Sequence, residues 1–404
     1  MSGVGAGVGA DDAAAAASGA GSNASRVIDV IVVGGGPIGL ATAINARMHG
    51  LTALVIEPRT GAIDKACGEG VMPGAVTELA ALGVHPHGRR IVGISYQDGT
   101  RTADHRFASD AALGVRRTEL HRALAERAFE LGVTFETGKV EAIEQHNDGA
   151  STSRRGGGSR NELNGRGDTN AQAQEHGGAV SAHLADGRTI EGRWMLGCDG
   201  LHSTVRELVG LAAHPRRVRR RDSRRFGIRQ HFEVAPWTDL VEVHWAPTAE
   251  LYVTPVSDTE VGVAVLGPRG TSFEDALASV PALAERLRGA TPTSTVRGAG
   301  PLLQNTTGQR AGRVLLVGDA AGYVDAITGE GIRLGLAEAR AAIECIVAGA
   351  PERYEREWRR VTRDFRMLTT GLVAAANSPL RRAIVPLAVR LPRLYGRIVE
   401  SLAR

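Results

Sequence analysis

A glycine-rich turn between two apolar runs is the feature that most constrains this chain. Residues 29–57 read DVIVVGGGPIGLATAINARMHGLTALVIE, an apolar run, a G-x-G-x-x-G turn, a stretch with helical spacing, a second apolar run and an acid. In such a strand–helix–strand unit, backbone N–H groups and a helix N-terminus approach a pyrophosphate, and the terminal acid accepts ribose hydroxyls. We therefore predict a dinucleotide site. Its predicted contacts are Gly34, Gly36, Pro37, Ile38, Gly39, Glu57 and Pro58.

A second glycine-rich segment lies in the last third of the chain. Residues 313–333 read RVLLVGDAAGYVDAITGEGIR, an apolar run that ends in Gly-Asp, followed by Gly-Glu-Gly at the start of another helical stretch. A strand-end aspartate can accept hydrogen bonds from ligand hydroxyls, and a helix N-terminus stabilises negative charge. Taken alone, the pattern is equally typical of an aspartate that caps the next helix. The candidate ligand contacts are Gly318, Asp319, Gly329, Glu330, Gly331 and Ile332.

Two further motifs lie between these segments. Residues 194–206 read WMLGCDGLHSTVR, with Asp199 and Gly200 directly after an apolar run, and residues 115–132 carry Arg117 near the start of a helical stretch. The four motifs, in this order, resemble those of the flavoprotein family of para-hydroxybenzoate-hydroxylase-like aromatic-ring hydroxylases and geranylgeranyl reductases. The resemblance implies FAD as the cofactor, Arg117 near the flavin, and NAD(P)H as a transient electron donor. Asp199 could equally sit in a plain Asp-Gly turn.

Two segments are more similar to the geranylgeranyl reductase branch of that family. The loop after the second Gly-Asp element continues to TGEG and lacks the histidine and proline usual in aromatic hydroxylases, and DKACGEGVMPG around Cys67 is similar to a Lys-x-Cys-Gly segment of the reductases. Cys67 could donate a proton in alkene reduction. It could also be no more than a small residue in a tight glycine loop, so the reaction type stays open.

The fold class implied by the resemblance is α/β: a Rossmann-type FAD-binding domain (GR2-like) with an inserted antiparallel β-sheet substrate domain and C-terminal helices. We assign residues 26–90, 112–225 and 296–350 to the FAD-binding domain, 91–111 and 226–295 to the substrate domain, and 351–404 to a C-terminal helical segment. Residues 1–25 and 147–178 have compositions typical of a disordered tail and a disordered insertion. The insertion interrupts a hairpin predicted from residues 140–144 and 180–184.

Short alternating runs between residues 226 and 266 predict antiparallel strands with one covered face, and Asp98-Gly99 predicts a further hairpin. Three side chains of the sheet, His231, His244 and Tyr252, could deprotonate a phenolic substrate. Alternation alone does not say which face of the sheet looks inward. Ordinary sheet packing is therefore an open alternative for each of them.

Composition limits the remaining classes. Three widely spaced cysteines favour a reducing, cytoplasmic setting over a disulfide framework, and the histidines form no ligand-spaced metal cluster. The net charge of +4 does not imply nucleic acid. The basic run at 216–225 is typical of a solvated loop, with a landing site for NADPH phosphates as the alternative. Residues 380–404 interleave leucines with arginines, which predicts packing over the substrate domain or, less favoured, weak peripheral membrane contact.

The function expected from these observations is that of an FAD-dependent oxidoreductase acting on a small molecule. The favoured reaction is NAD(P)H-dependent monooxygenation of an aromatic or polyketide-like compound of secondary metabolism through a flavin C4a-hydroperoxide, because hydroxylation is the commoner use of this scaffold. One alternative is a geranylgeranyl-reductase-like enzyme that reduces prenyl double bonds. A third, from another class, is a flavin-binding redox sensor without turnover.

Overall fold

The computed structural model describes residues 27–108, 111–146, 178–213 and 224–403. The predicted tail at 1–25 lies outside these residues. So do all but the last residue of the predicted insertion at 147–178 and all but the last two residues of the basic run at 216–225.

The strands of the described residues are β1 (Ile28–Val33), β2 (Ala53–Glu57), β3 (Gly70–Val71), β4 (Arg89–Ile91), β5 (Gly93–Gln97), β6 (Thr102–Arg106), β7 (Ala112–Gly114), β8 (Thr134–Thr137), β9 (Val140–His146), β10 (Ala179–Leu184), β11 (Thr189–Gly197), β12 (Arg225–Glu233), β13 (Leu240–Trp245), β14 (Glu250–Pro255), β15 (Glu260–Pro268), β16 (Thr291–Pro292), β17 (Arg297–Ala299), β18 (Arg310–Ala311) and β19 (Val314–Leu316).

The α-helices are α1 (Pro37–Met48), α2 (Pro73–Ala81), α3 (Arg117–Glu130), α4 (Thr204–Leu208), α5 (Phe273–Ala278), α6 (Pro281–Arg286), α7 (Gly331–Val347), α8 (Tyr354–Ala376), α9 (Ile384–Arg390) and α10 (Pro392–Ala403). Short 3₁₀ turns cover Gly318–Ala321, Pro351–Arg353 and Pro379–Ala383. No helix in the described ranges is both long enough and apolar enough to cross a membrane.

The first sheet has the strand order β18-β19-β11-β1-β2-β8, and its strands from β19 to β8 run parallel. Helix α1 packs against both α3 and α7. Because packed helices cover the central strands, β1 is buried from Val30 to Val33, as the unbroken apolar run predicts. The predicted hairpin is confirmed, since β9 and β10 pair in antiparallel register and extend the sheet beyond β11.

The second sheet has the order β16-β12-β15-β14-β13-β5-β6, with β17 also paired to β12. Its pairs are antiparallel except that β13 and β5 run parallel, so the sheet is mixed. The hairpin predicted at Asp98-Gly99 is confirmed by the β5–β6 pair. Helices α5 and α6 cover one face through Phe273 and Leu283, which pack with Leu251 and Val263. The other face looks toward the first sheet.

The C-terminal helices close the molecule over this inner face. Helix α8 packs on α7, and α9 and α10 pack on β5 and β6. Tyr395 of α10 is buried, donates a hydrogen bond to the carbonyl oxygen of Ile94 at 3.2 Å and packs against the ring of Tyr96, with ring centroids 5.0 Å apart. The inward side of the C-terminal helices therefore belongs to the core of the second sheet. A third sheet has three strands in the order β3-β7-β4.

Candidate active site

A cavity of about 650 Å³ runs from the glycine-rich turn after β1 to the inner face of the second sheet. It brings together most of the residues that the sequence singles out. The predicted site residues in its wall are Gly34, Gly36, Pro37, Ile38, Cys67, Arg117, Asp199, Gly200, Tyr252, Asp319, Gly329, Gly331 and Ile332. The predicted site residues outside its wall are Gly39, Glu57, Pro58, His231, His244, Gly318 and Glu330.

The glycine-rich turn leaves room where a phosphate would lie. Gly34 has a φ of +107°, which favours glycine. A Cβ at Gly39 would stand 1.8 Å from the carbonyl oxygen of Gly34, so only glycine lets α1 start so close to β1. A Cβ at Gly36 would meet nothing nearer than Arg117 Nη2 at 3.8 Å. The turn and the N-terminus of α1 thus form an open cradle that fits a pyrophosphate.

Glu57 ends β2 beside this turn. Its Oε2 accepts a hydrogen bond from the backbone N–H of Gly35 at 2.8 Å, and its Oε1 accepts one from Arg59 Nε at 2.6 Å. Burial alone would raise the pKa of Glu57, but these hydrogen bonds hold it below the ordinary value. The side chain is therefore an ionised acceptor beside the glycine-rich turn. Arg59, which the sequence reasoning did not select, is in the cavity wall.

One carboxylate oxygen of Asp199 lacks a hydrogen-bond partner among the described residues. Its Oδ2 accepts from the backbone N–H of Val205 at 3.0 Å, whereas its buried Oδ1 has no partner among the described residues. Arg206, in the same motif, donates to the carbonyl oxygens of Leu201 at 3.0 Å and Ala320 at 3.2 Å. This arginine joins the Asp-Gly turn to the turn that carries Asp319. The free carboxylate oxygen fits a polar cofactor.

Asp319 follows β19 and lies in the cavity wall, with Gly318 before it in the left-handed region at φ +67°. Burial raises the pKa of Asp319, while the charges of Arg117, Lys65 and Arg206 oppose that rise. A carboxyl group in such a place can bind hydroxyl groups of a ligand. Behind the turn, Glu338 of α7 accepts a hydrogen bond from the backbone N–H of Gly318 at 2.7 Å.

Helix α7 presents its N-terminus to the cavity. Gly329 adopts φ +71°, and Gly331 and Ile332 line the wall. No side chain caps this helix start, so its dipole and free N–H groups are available to a negatively charged ring edge. Glu330 is turned away from the cavity toward Arg333, and burial raises its pKa to about 7.

Residues 65–70 form the part of the wall between the two sheets. Cys67 lies in this loop, and burial raises the pKa of its thiol. Glu69 has a φ of +59°, a strained value for a residue other than glycine. Its Oε1 accepts from the backbone N–H of Arg117 at 2.9 Å, and its Oε2 lies 2.5 Å from His231 Nε2. Glu69 thereby links the cysteine loop to the start of α3 and to β12 of the second sheet. No sequence motif predicted this role.

The two histidines proposed as bases occupy different faces of the second sheet. His231 is on the inner face but fully buried, between Glu69, Arg229 and Ser294. Because Arg229 can only donate, His231 Nδ1 accepts from it and Nε2 donates to Glu69. His244 pairs across from Leu251 on the face that α5 and α6 cover. Neither ring is in the cavity wall. His244 faces away from the cavity, whereas His231 faces inward but is enclosed by Glu69, Arg229 and Ser294.

Tyr252 does line the cavity, and its hydroxyl donates to the carbonyl oxygen of Ile327 at 2.9 Å. Burial raises its pKa well above the ordinary value. The neighbouring wall of the second sheet is apolar. It consists mainly of Ile94, Tyr96, Val241, Val243, Ala264 and Leu266. Among the described residues, no group of histidine, cysteine and carboxylate side chains is arranged to hold a metal ion.

Comparison with known proteins agrees with this geometry. A sequence profile of the family described as FAD binding domain matches residues 27–349. Menaquinone reductase of Mycobacterium tuberculosis (strain ATCC 25618 / H37Rv) is 29% identical over 344 residues, which are 79% of this chain and 76% of that protein. Rifampicin monooxygenase of Streptomyces venezuelae is 29% identical over 202 residues, 48% of this chain and 36% of that protein. The crystal structure of a flavoprotein/dehydrogenase from Cytophaga hutchinsonii superposes with a TM-score of 0.73 at 17% identity, covering 93% and 92% of the two chains.

Proposed function

Because this chain belongs to the FAD binding domain family, we propose that it is an FAD-dependent reductase that saturates a carbon–carbon double bond in an apolar small molecule. Bound FAD supplies hydride and electron transfer. The residues that would hold it are those of the glycine cradle, Glu57, Asp199, Asp319 and the N-terminus of α7. NAD(P)H is the proposed source of the electrons.

The observation that carries this proposal is the distribution of acid and base groups around the cavity. Of the four side chains proposed to handle protons, Cys67 and Tyr252 lie in the wall, and His231 and His244 do not. The raised pKa keeps the Cys67 thiol protonated at neutral pH, as a proton donor requires. Tyr252 is a poor base because its hydroxyl already donates to a backbone carbonyl and resists ionisation.

With NAD(P)H as the reductant and bound FAD as the source of hydride, one alkene carbon would accept the hydride, and the Cys67 thiol would donate its proton to the other. The substrate would gain two hydrogens and Cys67 would be left as a thiolate. A proton from solvent would then restore the thiol. The apolar wall of the second sheet binds a hydrocarbon substrate and keeps bulk water away from the reacting atoms. Similarity to menaquinone reductase over most of both chains supports a reductive reaction on a lipophilic substrate.

Monooxygenation is the second candidate. It is favoured by similarity to rifampicin monooxygenase, which covers about half of this chain. An enclosed apolar cavity also suits hydroxylation of an aromatic or polyketide-like compound, because water must be excluded there as well. Neither His231 nor His244, the two histidines proposed as bases, lines the wall, which makes a phenolic substrate the less favoured one; His202 is the histidine that does line it.

Product analysis separates the two reactions. The FAD-loaded protein is supplied with NAD(P)H and either a prenylated quinone or a phenol, with and without O2, and products are analysed by mass spectrometry. We expect a gain of two hydrogens that does not need O2. Cys67→Ala should lower this turnover by about 10²-fold or more, and Cys345→Ala, a buried cysteine outside the cavity wall, should not. A gain of one oxygen atom that is insensitive to Cys67→Ala would establish the second candidate instead.

A further inference from the structure

The outer side of the C-terminal helices carries exposed leucines interleaved with arginines. The leucine side chains at 387, 391 and 394 are 51%, 48% and 52% exposed, and the intervening arginines are exposed as well. We call this set the Leu/Arg surface. It consists of Leu387, Arg390, Leu391, Arg393, Leu394 and Arg397.

All charged side chains of the Leu/Arg surface are positive. Residues 365–399 contain six arginines and no aspartate, glutamate or lysine, although the whole chain has a net charge of only +4. Arg381 turns inward to Glu250, and the nearest acid along the chain, Glu400, turns to His105 at 2.7 Å. The ion pairs described for this region are Arg381 with Glu250 and His105 with Glu400, while Arg390, Arg393 and Arg397 are exposed. Their charges are therefore available to an external anion.

The inner side of α9 and α10 closes the cavity. Leu402 of α10 is in the cavity wall, and Tyr395 holds the backbone of Ile94, whose side chain is also in the wall. On α9, Val385 and Ala388 are buried in the core that contains Val241 and Val243 of the wall. A single layer of helix thus separates the cavity from the Leu/Arg surface.

We propose that the Leu/Arg surface docks the protein on an anionic lipid bilayer. Leucine side chains enter the boundary of the acyl region while neighbouring arginines contact lipid phosphates, the arrangement that suits a helix lying in the interface plane. A symmetric dimer through this surface would instead place unpaired arginines against one another, a repulsive contact. The consequence that the cavity sits beside the membrane holding its apolar substrate rests on the proposed function; the docking itself does not.

Vesicle sedimentation tests the docking without any substrate. The full FAD-loaded chain is mixed with vesicles of phosphatidylcholine alone or with phosphatidylglycerol added, at low and high salt. We expect binding to the phosphatidylglycerol vesicles that salt weakens. The variant R390Q/R393Q/R397Q should lower the partition coefficient by about tenfold or more, because it removes the charges that attract anionic lipid. The variant L387S/L391S/L394S should lower it by a similar factor, because it removes the apolar area that enters the bilayer.

The matched control is R356Q/R359Q/R360Q on α8, which removes the same charge from arginines that are exposed but paired with glutamates. It should bind within about twofold of the unaltered protein. FAD content and melting temperature verify that each variant is folded. Absence of binding to phosphatidylglycerol vesicles, equal binding by all three variants, or dimerisation abolished by the same substitutions would overturn the proposal. A failed product assay with intact vesicle binding would instead count against the proposed function alone.

Discussion

The two ends of the cavity are built in different ways. The cofactor end depends on two missing side chains. Gly39 can approach the backbone of Gly34, and Gly34 can approach the backbone of Cys198 and Asp199, only because each is a glycine. The substrate end has an apolar wall that is supported from behind by charged side chains of distant segments. Outside the wall, Arg225 contacts Glu250 at 2.5 Å and Asp325 at 2.9 Å, and Arg381 also pairs with Glu250.

This difference determines how each end can fail. At the cofactor end, added atoms collide with backbone that cannot move without displacing α1 or β1. At the substrate end, removal of one charge leaves others buried and unpaired, which costs more than the lost attraction. Substitutions at the two ends should therefore separate into loss of FAD and loss of stability.

Gly39→Ala should have the largest effect. The new methyl group would stand 1.8 Å from the carbonyl oxygen of Gly34, so the turn must shift and the pyrophosphate cradle is lost. We expect protein without FAD, or no folded protein, by flavin absorbance of the purified sample. The control Gly371→Ala lies in α8, where an added Cβ meets nothing within 4 Å. It should be stabilising by about 0.5–1 kcal/mol. Normal flavin content in Gly39→Ala would show that the cradle does not hold the cofactor.

Glu250→Gln should have the next largest effect. Glu250 is fully buried, and its loss of charge leaves Arg225 and Arg381 with one carboxylate between them. We expect the free energy of unfolding in urea to fall by about 3 kcal/mol. Flavin content should stay normal under conditions where the variant remains folded. Asp239→Asn, in an exposed pair with Arg106, should cost under about 1 kcal/mol. Equal losses in the two variants would contradict the contrast between the ends.

Glu338→Gln should change how folding stability depends on pH, because Glu338 is a buried carboxyl group behind the cofactor end. Burial raises the pKa of Glu338 to about 8, from an ordinary value of 4.5. Below 4.5 the group is neutral in both states and costs nothing. As pH rises from there toward 8, the unfolded chain ionises first, so folding stability falls and then levels off. The glutamine variant should match the unaltered protein in acid and exceed it by on the order of 2 kcal/mol above the raised pKa. Parallel stability–pH curves for the two proteins would refute this account.

Tyr252→Phe should have the smallest effect. It removes one hydrogen bond to a backbone carbonyl, worth about 1 kcal/mol of stability. Tyr395→Phe removes a comparable bond outside the cavity wall and is the matched control. If Tyr252 takes no part in proton transfer, the pH profile of turnover should be the same in both variants. A large loss of turnover confined to Tyr252→Phe would restore the tyrosine as a catalytic residue.

The sequence by itself determined the cofactor end. The strand–turn–helix unit, the left-handed glycines and the aspartate after β19 are set by residues close together in the chain, because backbone geometry there follows from local residue types. The order of the four motifs identified the family and FAD, as the profile over residues 27–349 confirms.

Only the tertiary structure decided the substrate end. Whether His244 or Tyr252 faces the cavity depends on which face α5 and α6 cover. His231 faces inward but is enclosed by Glu69, Arg229 and Ser294. The role of Glu69 as a link between α3 and β12 also depends on contacts that only the tertiary structure shows. Such contacts join residues that are tens to hundreds of positions apart in the chain. In addition, an alternating apolar pattern does not indicate which face of a strand is inward. Local chemistry therefore specified what is bound, and long-range packing specified which side chains meet it.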